Sequence, residues 1–362
     1  AFAASTVDGT LSATATTGNM TDSGALTISG TSAFITSANN ATIALDTTTN
    51  AFTGALTLTT NDDDGTDANV TIDGGTTALV IAASTVDGNL TLTSGGAITD
   101  DGTLTIGGNL SATTDVDDIT INLGTLAVDG TVALTTNGTN GNVTLVNDVG
   151  LAFAASTVDG TLSATATTGN MTDSGALTIS GTSAFITSAN DATIALDTTT
   201  NAFTGAITLT TNDSDGAVAH ATVDGGTTAL VIAASTVDGN LTLTSGNASG
   251  ITDSGTLTIG GNLSAITDAN SGVVSLGTLA VDGTIALTTN GTGDALVVND
   301  AGLTFAASTV GQDLTATATT GNIIDNATVT VGRNLAVTAT ADDATINLGT
   351  LAVDGTVALT TN

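Results

Sequence analysis

Apolar and polar residues alternate along this chain with a period of two. Between positions 125 and 150, Leu126, Val128, Val132 and Leu134 fall on one phase, and Thr125, Ala127, Asp129, Thr131, Ala133 and Thr135 on the other. Period two puts successive side chains on opposite faces of a strand, so the pattern predicts short strands with one apolar face. Gly130 falls on the apolar phase between the two pairs, where a missing side chain predicts a bend without filling the interior. The same grammar runs through Leu104, Ile106, Gly108, Leu110 and Ala112, through Leu26, Ile28, Gly30, Ser32 and Phe34, and through Val86, Gly88, Leu90 and Leu92. Turns rich in Asn, Asp and Gly follow. A shorter apolar run then closes each unit, as at 119–123, 143–145, 43–45 and 70–72. The prediction is two or three short strands per coil, joined by bends.

The phrase AASTVDG occupies positions 3–9, returns intact at 82–88, 154–160 and 233–239, and returns altered at 306–311. Phe2, Phe153 and Phe305 mark a large repeat of about 151 residues, within which cuts at Phe2, Ala25, Ala51, Ala78, Thr103 and Thr125 give six units of about 25 residues. In the third copy, residues 305–326 match the first unit, and residues 327–349 match the fifth, 103–124. Units two to four have been excised. Such an excision removes the core of a globular domain but only shortens a solenoid, whose coils touch only their neighbours.

These observations predict an all-β, right-handed parallel β-helix, or β-solenoid, of about 15 coils of about 25 residues. Each strand would pair with its equivalent about 4.8 Å above and below. Residues 1–362 read as one continuous solenoid with large repeats 1–151 and 152–303 and a truncated 304–362. Tandem Ig-like β-sandwiches are the alternative, because the phrase recurs every 72 to 79 residues. Sandwiches usually carry Trp or Tyr anchors, and this chain has neither.

Composition narrows the function. At 40% hydrophobic the chain is too apolar for disorder, and it contains no Pro and no Cys. Its 34 acidic residues, all Asp, face a single Arg, giving a formal charge of -33. Phosphate recognition needs clustered cations, so nucleic acid is excluded as a partner and anionic membrane surfaces are disfavoured. No apolar run approaches the length of a membrane span, so membrane insertion is not expected. Self-repulsion should keep such rods apart unless divalent cations screen them. The absence of Cys suits a surface protein that does without disulfides. The chain opens in mid-repeat and stops in mid-coil, so it reads as a segment of a longer protein that continues or stacks end to end.

The phrases TLTIGGNLSATT, GTLAVDGTVALTTNG and ATTGNMTDSGALTISG resemble the repeats of very large bacterial surface proteins of the filamentous-haemagglutinin type. The resemblance covers essentially the whole chain and is one of grammar and composition. It implies a secreted β-helical shaft on the outside of a bacterial cell, acting in adhesion, contact or extracellular scaffolding. The secretion domain that opens members of that family is absent from this sequence.

The expected role is therefore a non-enzymatic, structural shaft or filament whose partners are further copies of itself by end-to-end or lateral assembly. An adhesin module for cell-surface glycans or neighbouring cells is the alternative, and a calcium-dependent surface-layer or matrix protein a further one. Candidate chemistry is sparse. His220 is the lone His and reads as a solvated turn residue, while Arg333 replaces Gly108 of the matching coil and reads as a surface substitution. Neither supplies the paired acid and base that hydrolysis requires. The turns NDDDGTD at 61–67 and NDSDG at 212–216 place Asp62 with Asp64, and Asp213 with Asp215, two residues apart before a Gly, in the manner of an oxygen-rich Ca2+ turn. Asp115, Asp117 and Asp118, with Asp342 and Asp343, are a weaker Ca2+ candidate. Outward Thr at 103, 105, 125, 131 and 135 raises ice binding, but Ala, Ser, Asp and Asn interrupt the columns, and Thr is a good strand residue in any case. Asn-x-Ser/Thr sequons such as Asn89 to Thr91 and Asn109 to Ser111 read as chance in an Asn- and Thr-rich chain.

Overall fold

The computed structural model describes residues 1–63, 67–214 and 218–362, which contain strands, turns and bends and no helix. They form two compact units, 1–181 and 182–362. Each is a β-solenoid of parallel ladders.

One coil of the first unit shows how the sequence builds the fold. Leu90–Ser94 is a straight strand whose inward Leu90, Leu92 and Ser94 are buried. The chain then returns along the opposite side as two three-residue strands, Ile98–Asp100 and Leu104–Ile106, which meet at a bend. Leu110–Asp117 next lies in parallel on Leu90–Ser94, with Leu90 opposite Leu110 and Leu92 opposite Ala112. Each coil thus has a straight side and a bent side, and aliphatic side chains stack like on like between them. Burying each Leu, Ile or Val contributes roughly 1.5–3 kcal/mol, so a strand too short to persist alone is held by its neighbours above and below. Phenylalanines extend the same columns. Phe34 and Phe52 meet edge to face at 6.1 Å in the first unit, and Phe185 and Phe203 at 6.0 Å in the second.

The coils are not a uniform 25 residues. Paired residues lie between 19 apart, as Leu79 with Ile98, and 27 apart, as Ile43 with Val70. On one face of the first unit the ladder climbs from Leu11 to Ser32, Leu56, Ile81 and Asp100, then from Ile98 through Ile121 and Val143 to Leu162. That is seven coils in one large repeat where the sequence units number six. The expected count is thus roughly met, and the extra coil arises because the bent side changes face within the repeat.

The change of face is built at the AASTVDG phrase. From Leu11–Ala15 to Leu56–Thr59 the straight strands share one side of the first unit. The chain then makes a straight strand on the other side, Val70–Asp73, and covers Leu56–Thr59 with the bent pair Leu79–Ile81 and Ser84–Val86. Three coils later the arrangement reverses: the straight Thr131–Asn137 is covered by the bent pair Leu151–Phe153 and Ser156–Val158, and the bent Ile121–Val128 by the straight Val143–Asn147. The second unit does the same where Leu230–Ile232 and Ser235–Val237 cover Ile207–Asn212, and where Leu303–Phe305 and Ser308–Val310 cover Thr284–Asn290. Successive phrases are therefore three and a half coils apart. Their spacing of 72 to 79 residues, which suggested sandwich modules, is this half-integral step.

A bent strand laid over a straight one leaves a backbone N–H in the middle without a carbonyl, and buried N–H groups need partners. The phrase supplies one. Its serine hydroxyl accepts from Leu58 at Ser84, from Leu134 at Ser156, from Leu209 at Ser235 and from Leu287 at Ser308, at 3.0 or 3.1 Å. Each serine donates in turn to the carbonyl two residues before it. Where Val70–Asp73 and Ala221–Asp224 cover bent strands, Thr77 and Thr228 Oγ1 accept from Phe52 and Phe203; where Val143–Asn147 covers one, an asparagine takes over. Asn147 Oδ1 accepts from Val128 at 2.9 Å, and its Nδ2 donates to the carbonyls of Val128 and Gly150. Asn299 repeats this with Val281 and Gly302.

Candidate functional site

The corner that follows each VDG or IGG turn is held by a side-chain ladder. Asn69 Oδ1 accepts the N–H of Asn89, Asn89 Oδ1 that of Asn109, and Asn109 Oδ1 both the N–H and the hydroxyl of Thr131. The glycines beside it are packed coil on coil, and a Cβ on Gly130 would lie 2.4 Å from the carbonyl oxygen of Gly108 and 2.5 Å from Asn109 Oδ1. Gly130 is thus needed for the approach of the coil beneath it, rather than to leave the interior empty at a bend.

Two residues singled out in the sequence belong to this corner. His220 is not a solvated turn residue: it occupies the position of Asn69, is half-buried, and accepts the N–H of Asn240 on Nδ1 at 2.9 Å. Asn240 and Asn262 continue the ladder to Thr284. Arg333 is half-exposed and pairs with Asp313, donating from Nε to Oδ1 at 2.7 Å and from its terminal nitrogen to Oδ2. Asp313, whose N–H donates to Asp294 Oδ1, stands where Thr161 stands on Asn142, so carboxylates enter the corner and Arg333 pairs with the second of them. The Arg333 guanidinium, opposed by partial desolvation and helped by the N–H of Asn334, holds the Asp313 carboxyl down at about 2. The sequons have the same origin. Asn89 and Asn109 are ladder residues, each followed by an inward Leu and an outward Thr or Ser, so the triplet is the grammar of the corner.

Aspartates at the bent side make a second kind of contact between coils. Asp100 accepts the N–H of Gly124 and both the N–H and the hydroxyl of Thr125, and Asp253 does so with Gly277 and Thr278. Asp325 holds Gly349 and Thr350 in the same way. Its partial desolvation is outweighed by the Thr350 hydroxyl and the two backbone donors, and its pKa falls below the ordinary aspartate value.

The acidic turns are partly accounted for. Asp62 Oδ2 accepts the N–H of Asp67 at 2.9 Å and closes the turn, while the Asp62 N–H donates to Asp87 Oδ2 in the next coil. Asp213 repeats both contacts with Val218 and Asp238. Their predicted companions Asp64 and Asp215 lie outside the described residues. Asp118 and Asp343 adopt left-handed backbone, φ 63° and 61°, as turn residues, and Asp118 Oδ1 accepts the N–H of Asn140. Among the described residues no three His, Asp or Glu side chains are grouped to share a metal ion.

Thr93, Thr113, Thr135, Thr157 and Thr178 form one outward column unbroken over five coils. Its neighbour runs Thr91, Ser111, Ala133, so the face lacks a two-dimensional hydroxyl array.

A cleft lies where the bent Ile121–Val128 is covered by Val143–Asn147. Thr103, Gly124, Thr125, Leu126, Val146 and Asp148 line a cleft of about 230 Å³. The second unit has its counterpart, about 270 Å³, among Thr256, Thr278, Leu279, Val298, Asp300 and Thr319. Both have an apolar floor, threonine walls and one carboxylate. The hydroxyl of Thr125 is held by Asp100 at 2.8 Å and that of Thr278 by Asp253 at 2.7 Å. Sequence patterns did not reveal these clefts, because they arise from the change of face.

A family model described as repeats of unknown function (DUF5649) matches residues 1–59, 67–122, 140–210 and 216–274. Each matched stretch contains one intact AASTVDG phrase, so the family's repeat corresponds to the three-and-a-half-coil step. No curated protein and no solved structure matches the chain. With more than half of its residues matched, the chain belongs to the DUF5649 repeat family.

Proposed function

We propose that this chain is a structural shaft of a bacterial cell-surface protein, working outside the cell. The observation that carries the reading is the use made of its side chains. Inward positions build aliphatic columns, while Asn, Asp, Ser and Thr at the corners join each coil to the next through backbone donors. Parallel pairing along the stacking direction, reinforced by these ladders, resists bending and unravelling, which is what a shaft requires. The excess of Asp keeps such shafts apart in solution. The resemblance to filamentous-haemagglutinin-type repeats supports the extracellular placement. Immunogold labelling of intact expressing cells, with antibody raised against the chain, tests it. Label on surface fibres supports the reading; label only after permeabilisation rejects it.

A second reading, an adhesin for glycans, is favoured by the paired clefts at Leu126 and Leu279, whose hydroxyls and carboxylate over an apolar floor suit a sugar ring. A glycan array probed with the intact chain and with Asp148→Ala plus Asp300→Ala distinguishes it: binding lost in the double variant supports the adhesin, and no binding by the intact chain removes it.

A further inference from the structure

We infer that the half repeat headed by each AASTVDG phrase is an interchangeable module, and that one and the same strand sequence builds either face of the solenoid. Two kinds of strand lie on the phrase. Ser5–Val7 carries Leu26–Ile28, and Ser156–Val158 carries Leu177–Ile179, both from the sequence SGALTISG. Ser84–Val86 instead carries Leu104–Ile106, from DGTLTIGG, and within the first unit it lies on the face opposite Ser156–Val158.

The third copy breaks this assignment and keeps the fold. Ser308–Val310 corresponds to Ser156–Val158 and heads a large repeat, yet it carries Val329–Val331, whose sequence ATVTVGRNLAVTATADD is of the kind that belongs to Leu104. The junction falls in a bend. Ile323–Asp325 continues the first unit's pattern, Val329–Val331 begins the fifth's, and the two are the short strands of a single bent side. Pairing crosses the junction without a shift: Leu303 lies opposite Ile323, Ile323 opposite Ile346, and Val329 opposite Leu351. The following straight strand, Leu335–Ala339, pairs at all five residues with Leu314–Ala318 and again with Val357–Thr361. Its inward Leu335, Val337 and Ala339 are buried.

The physical reason is that a coil asks little of the one beneath it. Backbone pairing is indifferent to sequence, and a Leu stacks on Leu, Val or Ile alike. The excised stretch contains one change of face, so its loss sends every later strand to the other side, where an equivalent ladder receives it. The number of half repeats, odd or even, then decides towards which face an outward residue points.

Removing residues 23–100 recreates this junction in the first repeat, joining Asp22 to Asp101. In the shortened chain Thr14 should lie beside Thr113, as Thr317 lies beside Thr338. In the intact chain Thr14 is opposite Ile35, and Thr113 is opposite Thr93 and Thr135. Thr14→Cys with Thr113→Cys, in a chain that has no other cysteine, reports the difference, because neighbouring parallel strands bring Cα atoms within disulfide range. The expected result is a cooperatively melting, strand-rich protein that forms this disulfide only in the shortened chain. Thr317→Cys with Thr338→Cys in the intact chain is the positive control. An unfolded shortened chain, or a folded one whose new pair stays open while the control pair closes in the intact chain, overturns the inference.

Discussion

Ser156 Oγ accepts the backbone N–H of Leu134 at 3.1 Å, across the step where a bent strand covers a straight one. This is the contact that lets the solenoid change face, and it recurs at Ser84, Ser235 and Ser308. Ser156→Ala leaves a buried amide without a partner, which costs about 1–3 kcal/mol. Hydrogen exchange should accelerate at Leu134 and its neighbours while remote coils such as Leu26–Ile28 stay protected. Unchanged protection at Leu134 would show that the hydroxyl is dispensable.

Asn147 carries the complementary step and is 1% exposed, with its side-chain amide donating to two carbonyls and accepting from one N–H. Asn147→Ala should cost about 3 kcal/mol, since several buried groups lose partners at once. Asn147→Asp should be more damaging at pH 7, because a buried carboxylate would face the carbonyls of Val128 and Gly150. Chemical denaturation ranks the three proteins. Equal stability of the Asp variant and the native chain contradicts the assignment of donors.

The corner glycines can be told from the merely tolerated ones. A Cβ on Gly130 meets the backbone oxygen of Gly108 at 2.4 Å, whereas one on Gly124 meets nothing within 4 Å. Gly130→Ala should destabilise by about 1–3 kcal/mol or shift the coil. Gly124→Ala should be within about 0.5 kcal/mol of the native chain. A melting comparison of the two variants is decisive, and equal melting points would refute the close approach.

Asp313 links stability to pH in one direction. Its folded pKa is held at about 2, below the ordinary value of 3.8, so its contribution is fully present above about pH 4 and is lost as pH falls through 2. Asp325 acts with the same sign. Arg333→Ala should raise the Asp313 pKa towards the ordinary value without restoring it fully, because Asn334 still donates to Oδ1 from its N–H and its Nδ2. Carboxyl-carbon NMR titration reads this directly, and an unmoved pKa would show that Arg333 is not the cause.

Some of this was legible in the residues. The inward phase of Leu126, Val128, Val132 and Leu134 is the buried phase in the structure. Phe34, on the apolar phase of its strand, is in the core, as are five of the other six phenylalanines, with Phe2 half-buried. The role of His220 could have been found from its alignment with Asn69, since both follow a buried Ala and precede a strand, but a lone His in a variable turn gives no sign of what its ring accepts. The Ca2+ reading of Asp62 and Asp213 rests on spacing, which records which oxygens are near in the chain. It does not record that the N–H of Asp67 or Val218 already uses one of them.

The strands, their inward and outward faces and their stacking were legible from residues alone, because period two and repetition are properties of neighbours along the chain. Which side of each coil is straight and which bent, the three-and-a-half-coil step between phrases, and the use of Ser156, Asn147 and Asn89 on their neighbours' backbones emerge only from the folded chain. Those features rest on hydrogen bonds between residues 19 to 27 apart, and the face on which a strand arrives is set by the number of half coils beneath it. No local pattern carries that count.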